Sequence, residues 1–256
     1  MQIPIQINVK GEMVVGIMHI PERSLKGNPV IIAINGLNGN RVEHQRMLVQ
    51  LGERAEKNGI ALLRFDSRGL GLSEGEFWNT TVESKLEDIK CIIDFLKGCY
   101  RNNLTVFFLG YSDGAKLILN LLETSLDKEH LAGMLLWSPV LLPVNGELKK
   151  KKMVREPNTK AMVFPFGGLW IGVKYIRDVS IDKDFLTPIH EFNKPLMCIF
   201  GTNDEKTTDL INIMKTDKYK NVELSLIEDA GHTFQDKVWT EEVINNSIEW
   251  IIRQNT

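Results

Sequence analysis

The sequence predicts an α/β protein built on a mainly parallel, doubly wound sheet. Three observations predict it. Short apolar runs recur at 30–34, 60–65, 105–109, 131–137 and 195–201. They are strand-length and apolar without alternation, as strands covered on both faces should be. Between them lie stretches with apolar residues at helical spacing, such as Val82, Leu86, Ile89, Ile93 and Leu96. Loops rich in Gly, Asn and Asp leave most of the apolar runs, so strands and helices alternate from Pro29 onward.

Taken in order, Ile3, Ile5, Ile7 and Val9 alternate with polar residues, a half-buried strand that Pro4 marks as an edge. Lys10-Gly11 turns the chain into a second strand over 13–20. Residues 29–35 form a third, central strand. The loop Asn35-Gly36-Leu37-Asn38-Gly39-Asn40 follows, and such a loop either brings backbone N–H groups close to a ligand or is a polar turn. A helix is expected over 43–58, ended by Gly59, and then a strand over 60–65. In the glycine-containing loop from Asp66 to Ser73, an Asp66–Arg68 ion pair is expected to act as a brace.

After the strand at 131–137 the alternation stops until His190. Residues 139–190 are too many for an ordinary loop. They are expected to form an inserted cap over the carboxyl edge of the sheet, with 1–138 and 191–256 as the core. Lys149 to Lys152 reads as a solvated charge run. Phe164, Phe166, Trp170 and Tyr175, with Gly167-Gly168 between them, are candidates for a substrate pocket or for the packing of the cap itself. The strand at 195–201 leaves through Gly201-Thr202-Asn203-Asp204. A more exposed strand, with Val222, Leu224 and Leu226, leaves through Asp229-Ala230-Gly231-His232. Thr240 is expected to cap a final helix.

Composition narrows the function. The chain has 256 residues, 43% hydrophobic and 25% charged, which allows a sizeable core and argues against disorder. A net charge of −2 gives no electrostatic case for nucleic acid or an anionic membrane. The three cysteines, Cys91, Cys99 and Cys198, lie in apolar surroundings and lack metal-ligand spacing. Buried thiols in a reducing compartment are expected, hence a cytoplasmic protein.

The chemistry centres on Gly110-Tyr111-Ser112-Asp113-Gly114, which joins an apolar strand to an Ala- and Leu-rich helix. A strand that turns sharply into a helix crowds its backbone, and glycines relieve the crowding. The turn exposes the Ser112 hydroxyl at the N-terminus of a helix, where negative charge is favoured. Serine is a weak nucleophile and needs a base, and the base needs a carboxylate to orient it. Ser112, Asp204 and His232 each stand in a loop leaving a strand, where sites form in such sheets. Asp204 competes with Glu205 and Asp229, and directly follows the strand exit. Of the other histidines, His44 begins a helix near the Asn35–Asn40 loop; His19, His130 and His190 lie in or at the ends of elements. The main-chain N–H groups of Leu37 and Asp113 are the candidate oxyanion donors.

The order and context of Gly110-Tyr111-Ser112-Asp113-Gly114, Gly201-Thr202-Asn203-Asp204 and Ala230-Gly231-His232 resemble the α/β-hydrolase superfamily over nearly the whole chain. Within it, the stretch from Phe65-Asp66 to Phe77 and the run Phe192-Asn193-Lys194-Pro195 resemble bacterial cinnamoyl (feruloyl) esterases and serine-aminopeptidase-like hydrolases. The resemblance implies the α/β-hydrolase fold and a serine hydrolase acting on a small-molecule ester, with neither metal nor organic cofactor. Its implied triad is Ser112, Asp204 and His232. Asn35-Gly36 stands where that group has His-Gly, and Tyr111 and Asp113 stand where it has His and Gln. Glu205-Lys206-Thr207 replaces apolar residues after the acid. Thioester hydrolysis or acyl transfer, amide hydrolysis, and a hydrolase-like fold that only binds are the competing readings.

Overall fold

The computed structural model describes residues 1–22, 27–100, 103–124, 130–142, 152–180 and 183–255. The strands are β1 (Gln2–Val9), β2 (Glu12–His19), β3 (Pro29–Ile34), β4 (Ala61–Phe65), β5 (Thr105–Tyr111), β6 (Leu131–Trp137), β7 (Val154–Arg155), β8 (Met162–Phe166), β9 (Leu169–Gly172), β10 (Leu196–Gly201) and β11 (Val222–Ile227). The helices are α1 (Met47–Lys57), α2 (Val82–Tyr100), α3 (Gly114–Thr124), α4 (Val173–Ser180), α5 (Leu186–His190), α6 (Thr208–Met214) and α7 (Lys237–Gln254). Among the described residues, an eight-stranded sheet has the order β1-β2-β4-β3-β5-β6-β10-β11, and β7, β8 and β9 form a second, small sheet.

β1 is the edge strand and pairs antiparallel with β2, which is itself antiparallel to β4. Lys10 and Gly11, at φ 53 and 92, make the tight turn between β1 and β2. From β4 to β11 every pairing is parallel, so β3, β5, β6, β10 and β11 present their carboxyl ends to one edge. Successive side chains of a strand alternate between faces. Val30, Ile32 and Ile34 therefore join Ile89, Ile92 and Leu96 of α2 and Ile118 of α3 on one face. Ile31 and Ala33 join Met47, Leu48 and Leu51 of α1 and Val243, Ile244 and Ile248 of α7 on the other. Burial on both faces is why the central runs are apolar throughout.

Between β6 and β10, β8 and β9 pair antiparallel across Gly167 and Gly168. Both glycines have positive φ, 55 and 80, as a two-residue hairpin turn requires. Ile171, Tyr175, Phe164 and Phe166 pack with Leu70, Phe77 and Leu37 in a third apolar cluster. Phe185 and Ile189 pack instead into the main core. The charge run Lys149 to Lys152 lies outside the described residues, Lys152 excepted.

Four sequence expectations are corrected. Asp66 and Arg68 do not pair with each other. Asp66 is fully buried, where it pairs with Arg41 and accepts the N–H groups of Arg41 (2.7 Å) and Leu72 (2.8 Å). Arg68 pairs with Asp88 (2.6 Å), Glu87 (2.9 Å) and Glu12 (3.4 Å). The expected helix over 43–58 begins at Met47. A short 3-10 turn, His44–Arg46, precedes it, and Glu43, Gln45 and Arg46 have positive φ. The last helix is capped by Asp236, whose carboxylate accepts the Val238 N–H at 2.7 Å, and Thr240 instead donates to the Phe234 carbonyl at 2.9 Å. Of the three thiols only Cys198 is buried; Cys91 is half-buried and Cys99 exposed.

Candidate active site

The site begins with the turn from β5 into α3. Ser112 sits at φ 55, in the left-handed region that non-glycine residues seldom adopt. Its N–H donates to Trp137 O (2.9 Å), and its carbonyl accepts from Ala115 N (3.2 Å). The flanking glycines are sterically required. A Cβ on Gly110 would lie 2.7 Å from Ile118 Cδ1 and 2.9 Å from Ala115 Cα, and one on Gly114 would lie 2.1 Å from the Ile34 carbonyl oxygen.

The loops after β10 and β11 are tied together. Thr202 N donates to Ile227 O (3.0 Å), Asn203 N to Ala230 O (2.9 Å), and Asp229 N to Thr202 Oγ1 (2.9 Å). Gly201 permits this approach, since a Cβ there would lie 2.2 Å from Ala230 O. The result is a continuous line of hydrogen bonds. Ser112 Oγ lies 2.9 Å from His232 Nε2, and His232 Nδ1 lies 2.7 Å from Asp204 Oδ2. A carboxylate only accepts, so Nδ1 carries the proton and Nε2 is left to accept from the serine hydroxyl. The ring stacks on Tyr111 at 6.3 Å between centroids, and the Tyr111 hydroxyl donates to the His232 carbonyl at 3.4 Å.

Asp204 is buried but well supplied with donors. Besides His232 it accepts the Thr207 hydroxyl at 2.8 Å and the Lys206 N–H at 3.1 Å. Burial pushes its carboxyl up, but the His232, Thr207 and Lys206 donors outweigh burial and hold it below the usual range. Glu205 and Asp229, the competing carboxylates, are exposed. They line a concavity together with Asp204 and His232.

The loop after β3 lies beside the serine. A Cβ on Gly36 would lie 3.3 Å from Ser112 Cβ and 3.8 Å from its Oγ. The main-chain N–H groups of Leu37 and Asp113 donate to no acceptor among the described residues. The Asp113 carboxylate pairs with Lys116 at 3.2 Å and faces a cavity of about 510 Å³ between α2, α3 and α4. Leu86, Leu117, Tyr175 and Phe185 also line that cavity. Phe164 and Phe166 do not line it; they pack on Leu70 and Phe77, and Trp170 is half-buried on β9. The β8–β9 turn reaches the Leu37 loop, for a Cβ on Gly167 would lie 2.8 Å from Asn38 Nδ2. His44 is exposed on its 3-10 turn.

Two residues near the site escaped the sequence reading, although the sequence held their signals. Asp204 makes an Asx-turn with the N–H of Lys206 two places on, and Thr207, one place further, brings a hydroxyl to the same carboxylate. Lys85 lies in phase with Val82 and Ile89 on the apolar face of α2, where a lysine is out of place. Its ammonium donates to the carbonyls of Leu37 (2.7 Å) and Gly36 (3.2 Å). Among the described residues no group of three His, Cys, Asp or Glu could hold a metal ion, and no helix is long and apolar enough to cross a membrane.

Comparison with known proteins identifies the family and the fold. The profile of the family described as serine aminopeptidase, S33, matches residues 28–165. The ferulic acid complex of Est1E from Butyrivibrio proteoclasticus superposes with a TM-score of 0.75 at 20% identity, over 97% of this chain and 99% of that one. The mouse alpha/beta hydrolase domain-containing protein 10 gives 0.70 at 18% identity, over 98% and 99%. The esterase Pf2001 of Pyrococcus furiosus gives 0.67 at 21% identity, over 100% and 93%. Likeness at these identities is a likeness of fold, the α/β-hydrolase fold. Among curated proteins no sequence gives a significant match.

Proposed function

The chain belongs to the serine aminopeptidase, S33, family of α/β-hydrolases, and from that premise we propose that it is a serine hydrolase of carboxylic esters with small or aromatic, cinnamoyl-type acyl groups. The observation that carries this reading is the unbroken line from Ser112 Oγ through His232 to Asp204 at 2.9 and 2.7 Å. The likeness to a protein that binds ferulic acid supports the aromatic acyl class.

In this reading Ser112 Oγ attacks the ester carbonyl while His232 Nε2 takes its proton. Asp204 holds the ring and stabilises the imidazolium without itself being protonated. The carbonyl oxygen, now an oxyanion, is received by the Leu37 and Asp113 N–H groups at the N-terminus of α3. The C–O bond to the alcohol breaks, and His232 returns the proton to the departing alkoxide. Water, deprotonated by His232, then hydrolyses the acyl-serine and restores the enzyme. Residues 139–190 act as the cap, their β8–β9 turn lying over the loop that holds Leu37. Of the candidate pocket aromatics, Phe164 and Phe166 share the face of the β8–β9 hairpin that packs on Leu70 and Phe77, and Trp170, on the opposite face, is left to meet the acyl group. The half-buried and exposed thiols Cys91 and Cys99 suit a reducing cytoplasm.

The family description favours one second reading, amide hydrolysis at a peptide N-terminus. One experiment separates the possibilities. The wild type and Ser112→Ala are treated with a fluorophosphonate probe and assayed on p-nitrophenyl butyrate, methyl ferulate and aminoacyl p-nitroanilides. The proposal expects labelling at Ser112, ester turnover above anilide turnover, and loss of both in Ser112→Ala. His232→Ala should lose nearly as much, and the double variant little more, because the two residues act as a unit. Preference for the anilides would move the assignment to peptidase. Absence of both labelling and turnover would mean that the fold is used for binding.

A further inference from the structure

Lys85 is 1% exposed, yet among the described residues it forms no ion pair. Its ammonium has two acceptors there, Leu37 O at 2.7 Å and Gly36 O at 3.2 Å, and it lies 5.7 Å from the centre of the Tyr175 ring of α4. A buried ammonium without a carboxylate partner is unfavourable, and an apolar side chain of similar volume would normally serve the core as well or better. What an apolar side chain could not do is grip two successive carbonyls. In a trans peptide the C=O of one residue and the N–H of the next point in opposite directions. A grip on Gly36 O therefore turns the Leu37 N–H away from α2. Gly36 packs directly against Ser112, with a Cβ there only 3.8 Å from Oγ, so the Leu37 N–H belongs to a peptide that borders the nucleophile.

We propose that Lys85 is a positioning residue, which holds the Gly36–Leu37 peptide so that the Leu37 N–H receives the oxyanion formed at Ser112. The inference rests on the serine-hydrolase reading above. Tyr175 on the far side links the grip to the cap, so packing of the cap and shape of the oxyanion site are coupled through one ammonium. The charged and titratable groups facing Lys85 are Asp88 on its own helix, Asp113 after β5, Glu43 after the Asn35–Asn40 loop, and the Tyr175 hydroxyl on α4. Burial lowers the Lys85 ammonium to about 8, with Asp113, Asp88 and Glu43 resisting the fall, so it is charged at neutral pH. Burial raises Glu43 to about 7.

The test compares wild type, Lys85→Met and Lys85→Gln on one activated ester from pH 6 to 10, with thermal unfolding of each. A donor aimed at the oxyanion acts in the transition state, and losing one typically costs about a hundredfold or more in kcat. Misaiming it in Lys85→Met should cost roughly 10- to 100-fold in kcat with KM within about twofold. Thermal stability should hold or rise, and Lys85→Gln, which keeps a donor, should recover part of kcat. The wild type should lose kcat on an alkaline limb near pH 8 that Lys85→Met lacks. Lys85→Met with kcat within twofold of wild type, and the same alkaline limb, would overturn the proposal. Should neither variant fold, a wild-type kcat that stays flat from pH 7 to 10 overturns it. A wild type that neither turns over ester nor takes the fluorophosphonate sinks the underlying serine-hydrolase reading, and this one with it. A reactive wild type beside an indifferent Lys85→Met sinks this one alone.

Discussion

Thr207→Val isolates one support of the acid. Valine nearly matches threonine in shape and removes only the hydroxyl. Thr207 is fully buried, and its Oγ1 lies 2.8 Å from Asp204 Oδ2, the same oxygen that receives His232 Nδ1 at 2.7 Å. Thr207 is the N-cap residue of α6, but its hydroxyl makes no capping bond and serves Asp204 instead. A hydrogen bond to an ionised group contributes about 1.5–3 kcal/mol. Its loss should therefore destabilise the protein by about 2 kcal/mol at pH 7 and move the folded pKa of Asp204 upward. The sign follows from the direction of the native shift. Asp204 is held below its unfolded value, so its contribution is complete above that value and is lost as pH falls through the folded one. Raising the folded value shrinks the contribution, so wild type and variant should differ most above about pH 5 and converge as Asp204 protonates in both. Urea unfolding at pH 7 and pH 3 reads this directly. Lys206 N and His232 still support the carboxylate, so kcat should fall by no more than about tenfold, against about 10⁴-fold for Asp204→Asn. Equal stabilities at pH 7, or a gap that persists unchanged at pH 3, would refute the reasoning.

Two further predictions concern the far side of the sheet and the cap. His19 is fully enclosed and accepts from Arg64 Nε at 2.9 Å, and burial, followed by Arg64 and the N-terminal ammonium, lowers it to about 4. The fold favours the neutral ring, so up to about 3 kcal/mol of stability present above pH 6.5 should be lost as pH falls toward 4; melting curves across that range should flatten in His19→Leu. In the cap, Phe164→Ala opens the cluster with Leu70, Phe77 and Tyr175 and should lower stability by about 2 kcal/mol, whereas half-buried Trp170→Ala should change KM or acyl preference with the melting temperature little moved; a Trp170→Ala variant that is destabilised with its preference unaltered would assign that side chain to packing alone.

Much of this was legible in the sequence because burial on both faces leaves an uninterrupted signature. The runs at β3, β5, β6 and β10 are apolar at every face, so each was readable as a strand, and each exit loop could be searched for reactive side chains. Ser112 and Asp204 were found that way, and His232 from the exit of the more exposed, alternating β11; the structure places His232 within hydrogen-bond reach of both. Charge pairing was not legible. Asp66 and Arg68 are two residues apart, and nearness in sequence suggested a pair. The loop instead turns the Asp66 carboxylate inward beneath Gly71, where a Cβ would lie 2.1 Å from Oδ2, while Arg68 reaches Asp88 on α2. Long-range partners of this kind depend on the path of the backbone, which periodicity does not encode. The start of α1 failed for a related reason. Glu43, Gln45 and Arg46 adopt positive φ, and no glycine or proline marks that departure.

The residues gathered at the carboxyl edge share a backbone trait that relates stability to chemistry. Ser112, Ser138, Asp229 and Phe234 all have positive φ, between 40 and 58. Such conformations cost of order 1–3 kcal/mol each and persist only where the surroundings fix them. Here the surroundings are specific. Ser112 is tied to Trp137 O, Ser138 N donates to Ile199 O at 2.8 Å, and Phe234 buries its ring fully among α7 and the neighbouring strands. Strain is thus confined to the loops, while the strands beneath them are covered on both sides. An edge that rests on so rigid a layer can hold a serine, a histidine and a carboxylate in register without any of them lying in a regular element. The same layer leaves the loop after β3 without a strand partner of its own, so its shape depends on what reaches it from α2. The Asn35 amide donates to Phe65 O at 3.1 Å and fixes the start of that loop, and Lys85 grips its middle. On the serine-hydrolase reading proposed above, variation at these two supports would alter the oxyanion site while leaving Ser112, His232 and Asp204 untouched, so reactivity would be tuned there separately from the nucleophile.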